Sequence, residues 1–213
     1  ARDLSNLKIG IAKYAPLCDY QGRLINDPVV LRIDEETIWF STADADVLLW
    51  VRAIAGERGD EVEIHEPDVS PLAVQGPKAA DVVSQVFGNW VEDLKFFHFR
   101  RITHQGIPLV LSRSGWSKQG GFELFLEDET KGEQLWDLIW DAGEEFGIRV
   151  GGPNNTERME SFLFSLWSDA GRDCDPYESG IGNYVDLGVE HDFIGKAVLK
   201  NKRAEGPDRE LKG

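Results

Sequence analysis

Residues 96–127, FFHFRRITHQGIPLVLSRSGWSKQGGFELFLE, hold three β-favouring runs in close succession. Phe96 to Thr103 and Ile107 to Arg113 flank His104-Gln105-Gly106, a composition that predicts a β-hairpin. Phe122 to Glu127 is a third run, reached through the polar, glycine-rich segment Arg113 to Gly121. Hairpin-joined strands of this kind build an antiparallel sheet.

On the N-terminal side, Thr37 to Thr42 reads as a short strand, and Asp44 is placed to cap a helix with Val47, Trp50, Val51 and Ile54 on one face. Glu61 to Glu66 alternates apolar and polar residues as a half-buried strand does. Leu72 to Gln75 is a further strand. Beyond it, Gly76-Pro77 opens a helix whose Ala79, Val82, Val83 and Val86 repeat at helical spacing before Gly88 ends it. On the C-terminal side, Thr130 with Glu133 has the spacing of a capping box. It opens a helix that turns Leu135, Leu138, Ile139, Ala142 and Phe146 inward and stops at Gly147. Asn154 with Glu157 repeats the pattern ahead of a helix lined by Met159, Phe162, Leu163 and Leu166. Hairpins mixed with dispersed helices predict an α+β fold, with antiparallel sheets and packed helices. No glycine-rich phosphate loop follows a strand, so nothing supports a nucleotide-binding fold.

Composition narrows the function classes. With 38 acidic and 23 basic side chains among 213 residues, the formal charge of −15 argues against a nucleic-acid backbone or an anionic membrane surface as partner. A small anionic ligand in a local basic pocket stays compatible with it. No apolar run approaches the roughly 18 residues of a membrane span, and Ala1 to Gly10 does not resemble a signal peptide. Cys18 and Cys174 stand apart without a CxxC pair, which suits free thiols in a cytoplasmic protein. Histidines at 65, 98, 104 and 191 show neither HxH nor HExxH spacing, so no metal site is expected. There is no GxSxG elbow for a serine nucleophile.

Among candidate functional stretches, residues 113–123 (RSGWSKQGGFE) are the most unusual. A loop offering a cation, hydroxyls, an indole, backbone amides and then a carboxylate could hold a flat polar ligand, although a long solvated hairpin turn has the same composition. Asn26-Asp27-Pro28 is an ordinary turn signal that also places two polar side chains at a strand end. Arg158 and Glu160 sit near a helix start, where an exposed charge pair is the usual reading.

Four blocks in a fixed order change these readings: Tyr14 to Asp27 (YAPLCDYQGRLIND), Leu72 to Lys78 (LAVQGPK), Ser112 to Phe125 (SRSGWSKQGGFELF) and Asp192 to Leu199 (DFIGKAVL). Together they resemble the glycine-cleavage T-protein (aminomethyltransferase) superfamily, over nearly the whole chain. Within it, the RSGWSKQGGFE run, the LINDP block, PNNTERME (153–160) and DPYESG (175–180) are most similar to the dimethylsulfoniopropionate demethylases. The resemblance implies a three-domain cloverleaf with tetrahydrofolate in a central channel, and methyl transfer from a small sulfonium donor to that folate. It also implies a division into a folate-binding subdomain at 1–68, a second subdomain at 69–199 carrying the loop, and a linker at 200–213 leading towards a C-terminal barrel that this chain lacks.

Residue roles follow from the same resemblance. Trp116 is expected as the aromatic wall for the sulfonium, with Ser117 and Phe125 beside the donor; Phe125 stands where the demethylases carry a tyrosine. Glu123 is expected on the pterin edge, Tyr14 and Asn26 against folate, and Arg158 on an anionic group of folate or donor. Aminomethyltransferases usually read Ile-Asp-Asp where this chain reads Ile25-Asn26-Asp27. An amide cannot accept a proton at neutral pH, so glycine-cleavage chemistry would require Asp27 to serve as the catalytic carboxylate. Sulfonium chemistry asks for less, because the leaving group departs as a neutral thioether. A folate-binding protein without methyl transfer is the third reading; the K-G-C-Y-x-G-Q motif of the known maturation branch is missing. The sequence leaves the oligomeric state open.

Overall fold

A computed structural model describes residues 1–42, 47–152 and 155–211. The two capping residues expected at Asp44 and Asn154 lie outside them. Strands β1 (Ala12–Tyr14), β2 (Leu17–Cys18), β3 (Leu24–Asn26), β4 (Val29–Arg32) and β5 (Ile38–Ser41) precede helix α1 (Val47–Arg58). Then come β6 (Ser70–Gln75), α2 (Ala79–Phe87), β7 (Phe99–His104), β8 (Ile107–Ser112), β9 (Gly121–Leu126) and α3 (Gly132–Gly143). Two helices complete the chain: the short α4 (Asn155–Glu160) and α5 (Lys196–Glu205). The fold is α+β, and every paired strand is antiparallel.

Two compact units divide the chain: Pro67–Leu163, and Ala1–Glu66 together with Phe164–Gly213. In the first of these, four strands run in the order β6-β9-β8-β7. Gln105 and Gly106 make the β7–β8 turn with φ of 49° and 79°, the two successive positive values of a type I′ turn. One sheet face carries Leu72, Val74, Leu109, Leu111, Phe122, Leu124 and Leu126, onto which α2 and α3 lay Val82, Val83, Leu135 and Ile139. Each fully buried leucine there is worth about 2–5 kcal/mol against truncation to alanine. By strand alternation, Gln75, Ser112, Glu123 and Phe125 point to the opposite face.

Two local expectations for this unit need correction. Asp128, not Thr130, accepts the capping hydrogen bonds ahead of α3, taking both the Thr130 amide and its hydroxyl, because a short 3-10 turn precedes the helix proper. The helix expected to run to Leu166 ends at Glu160, with Met159 and Phe162 left exposed. Its buried residue is Arg158, whose guanidinium takes the inward position that periodicity assigned to apolar side chains.

In the second unit, β1, β4 and β5 form one sheet and β2 with β3 a separate ribbon. Cys18 and Leu24 from that ribbon pack with Leu166, Ile181, Val185 and Leu199. Here the structure departs from the expected subdomain limits. Residues 164–199 fold with the N-terminal segment, and the stretch expected as a linker begins inside α5, whose Leu199 is fully buried. Beyond α5, Arg209 bonds Glu178 and Asp173, and within it Lys202 bonds Asp175 at 2.8 Å. The DPYESG block thus works as a turn tied to the tail. Gly195 of the FIGK block has a φ of 83°, and a Cβ there would lie 2.6 Å from the Asp19 carbonyl. Residues 61–66, expected as a strand, are irregular and largely exposed; their alternation meets no partner strand.

Candidate active site

The residues singled out by sequence fall in both units, and each group has its own geometry. In the unit of the N-terminal segment, Tyr14 ends β1 and Asn26 ends β3, which places Asp27 in the turn into β4. Tyr14 donates its hydroxyl hydrogen bond to Asp27 Oδ2 at 2.9 Å, and its ring meets Tyr184 edge-on at 4.8 Å. Burial pushes the Asp27 carboxyl up to about 6; the Tyr14 bond pulls it down, and Asp169 adds an upward push. Burial and then the Asp27 charge hold the Tyr14 hydroxyl well above the usual phenol range, so it stays a donor. Asn26 is fully buried. The pair therefore offers a carboxyl able to exchange a proton near neutrality.

In the unit 67–163, the loop between β8 and β9 holds Trp116 and Ser117, β9 itself carries Glu123 and Phe125, and Arg158 lies on α4. Glu123 accepts a short hydrogen bond from the Ser114 hydroxyl, and the Ser112 and Ser114 hydroxyl oxygens are 2.9 Å apart. Each hydroxyl has one proton, so an ionised Glu123 is served by Ser114, which in turn accepts from Ser112. Burial raises the Glu123 carboxyl above its usual range, and the Ser114 bond offsets part of that rise. Phe125 lies two residues further along β9 on the same sheet face, 8% exposed and opposite Val110.

Trp116 is half-buried, with the Arg158 guanidinium over its ring at 5.6 Å. Arg158 is 2% exposed and donates to Asn155 Oδ1 and to the Leu163 carbonyl. Lys118 donates to the Ser161 and Phe162 carbonyls in the turn that follows α4, while the Ser161 hydroxyl donates to the Ser117 carbonyl. The loop is thus docked on that turn, and the cation that the sequence offered to a ligand at Lys118 is committed to its carbonyls.

Gln75 is the residue that sequence reasoning passed over. Its Nε2 donates to the Ser114 and Phe122 carbonyls, and its Oε1 accepts from the Ser117 hydroxyl. The available signal was its place in the QGPK block together with two glycines, Gly115 and Gly121, in the loop it threads. Elsewhere, burial pushes the Cys18 thiol up to about 12, which leaves it an inert core residue. Among the described residues no cluster of histidine, cysteine or acidic side chains is placed to hold a metal ion, and no helix is long and apolar enough to cross a membrane.

An antiparallel α+β fold with a rigidly docked Trp–Ser–Lys loop and a buried carboxyl at its base defines a class that comparison makes specific. Residues 1–188 match the GCVT N-terminal domain, and the chain belongs to that family. It is 44% identical over 211 residues to the dimethylsulfoniopropionate demethylase DmdA of Ruegeria pomeroyi, a match covering 99% of this chain and 57% of that protein. It is 33% identical over 223 residues to the aminomethyltransferase of Oceanobacillus iheyensis, covering 99% of this chain and 59% of that one. The crystal structure of glycine cleavage system aminomethyltransferase T from Bartonella henselae superposes with a TM-score of 0.76 at 22% identity, over 96% of this chain and 56% of that chain. The chain thus spans somewhat more than half the length of the relatives it matches.

Proposed function

We propose that the protein of which this chain is part transfers a methyl group from a small sulfonium compound, of the dimethylsulfoniopropionate type, to tetrahydrofolate in the cytoplasm. The observation that carries this reading is the 44% identity to a demethylase across 99% of the chain, against 33% to an aminomethyltransferase over the same span. Asn26 in place of an ionisable side chain points the same way.

Tetrahydrofolate, when bound, supplies the nitrogen that takes the methyl group. The donor set of this chain suits it. Glu123 has a carboxyl anchored on one side by Ser114, leaving it able to accept N–H donors of a pterin edge. Tyr14, in the other unit, is the aromatic side chain that the family resemblance assigns to folate. Asp27, with a carboxyl near 6, can take up the proton released on methylation. Trp116 offers its indole to the sulfonium, a contact of about 0.5–2 kcal/mol. The Arg158 guanidinium lies over that ring and helps to hold its orientation. No general acid is needed, because the departing thioether is neutral. The loop's part is alignment.

A second reading, aminomethyl transfer, is equally served by Asp27, which is hydrogen-bonded and able to exchange a proton in either reaction. The two separate in an assay of the full-length protein with tetrahydrofolate and either dimethylsulfoniopropionate or an aminomethylated lipoyl carrier. Production of 5-methyltetrahydrofolate from the sulfonium alone, lost in Trp116→Ala, is the expected result. Methylene transfer from the carrier alone would favour the second reading, and tight folate binding without turnover would indicate a binding protein.

A further inference from the structure

We infer that Gln75 is a positioning residue for the methyl donor, acting through the loop that carries Trp116; this inference rests on the methyltransferase reading above. Gln75 is the last residue of β6, opposite Gly121. Its carboxamide lies on the sheet face of Ser112 and Glu123 and enters the loop from below. Nε2 donates at 3.2 Å to the carbonyl of Ser114, where the chain leaves β8, and at 3.2 Å to that of Phe122, where it enters β9. Oε1 accepts from the Ser117 hydroxyl at 3.1 Å, next to Trp116. One amide therefore ties both ends and the middle of the loop.

The glycines are the counterpart of this side chain. A Cβ at Gly115 would overlap the Gln75 carboxamide, and one at Gly121, where φ is 151°, would lie 2.6 Å from it. Both glycines leave room for the amide to pass between the two loop ends. Ser117, by the same geometry, holds the loop rather than the donor, since its hydroxyl is spent on Gln75. The second anchor, Lys118 and Ser161 at the end of α4, fixes the outer side of the loop. Trp116 sits between the two anchors, and a shift of about 1 Å at a substrate wall is enough to cost up to 100-fold in turnover efficiency.

The test uses Gln75→Glu, which keeps the shape but puts an oxygen against two carbonyls, and Gly115→Ala, which presses on the same amide from the loop side. Hydrogen exchange of peptides covering 113–122 and 132–146 is measured in the full-length protein, alongside steady-state kinetics with dimethylsulfoniopropionate and tetrahydrofolate. The expected result is exchange about tenfold faster in 113–122 with α3 unchanged, and a donor KM raised about tenfold or more while the folate KM stays within about twofold. Ser117→Ala, which removes one of the three bonds, should move the donor KM in the same direction by a smaller factor. Unchanged loop exchange overturns the inference, as does a loosened loop with an unchanged donor KM. Loosening of sheet and helices together, with kcat and both KM values shifting in parallel, would show a purely structural role and overturn it too. Failure of the underlying reading looks different: the unsubstituted protein would transfer no methyl group from the sulfonium.

Discussion

Tyr14 and Asp27 are joined by a 2.9 Å hydrogen bond that links the end of β1 to the turn after β3. The bond pulls the Asp27 carboxyl down, yet burial dominates and leaves it near 6, above the ordinary value of 3.8. Between roughly pH 4 and 6 the native state therefore holds this proton more tightly than the unfolded chain. The contribution of Asp27 to stability is largest below about pH 4 and declines as pH rises to about 6, by on the order of 2–3 kcal/mol. Asp27→Asn lacks this dependence. Urea denaturation at pH 4, 5, 6 and 7 should show the variant gaining on the parent up to pH 6 and then running level; a constant gap across the range would contradict the assignment.

At Glu123 the demands of binding oppose those of folding. Its buried carboxyl sits above its ordinary range despite the Ser114 bond, so the charged form is costly to the fold. Glu123→Gln should leave thermal stability unchanged or raised, while weakening tetrahydrofolate binding about tenfold to 100-fold through loss of a charged acceptor. Calorimetric titration of the two proteins checks this, and equal affinities would remove Glu123 from the folate site.

Arg158 is a buried cation that donates to the Asn155 amide oxygen and the Leu163 carbonyl and lies over the Trp116 ring. Arg158→Met leaves the Leu163 carbonyl without that donor and should cost about 2–4 kcal/mol in thermal or urea unfolding. Arg158→Lys should not restore it, because Arg158 reaches Asn155 and Leu163 from two separate nitrogens, Nε and Nη1, of a planar group lying over the Trp116 ring, and an ammonium has neither that fork nor that plane. Full stability in the lysine variant would mean that charge alone, rather than the planar fork, matters there.

Gly195 tests the role of the FIGK block. Both a positive φ of 83° and the Asp19 carbonyl 2.6 Å from the Cβ position oppose any side chain. Gly195→Ala should destabilise by about 2–4 kcal/mol as the start of α5 is pushed off the Asp19–Gly22 turn. A loss below about 0.5 kcal/mol would show that the turn gives way freely.

Much of the sheet was legible because its signals are local. The β7–β8 hairpin, β9, and the apolar faces of α2 and α3 follow from turn composition and from periods of two and 3.6 residues. The same rules failed where a neighbour distant in sequence decided the outcome. Residues 61–66 alternate correctly but have no partner strand, and Met159 and Phe162 sit at helical spacing while Arg158 takes the buried position.

The sequence by itself determined the α+β class, the β7–β8 hairpin, the family resemblance and the residues to watch, since motif order and periodicity are written along one dimension. Only the tertiary structure decided what those residues do to one another. It paired Tyr14 with Asp27, placed Arg158 against Trp116, returned residues 164–211 to the N-terminal segment, and threaded Gln75 between two glycines about 40 positions away in the chain. Each of these is a contact across long sequence separation, set by which strands pair and which volumes the glycines leave open.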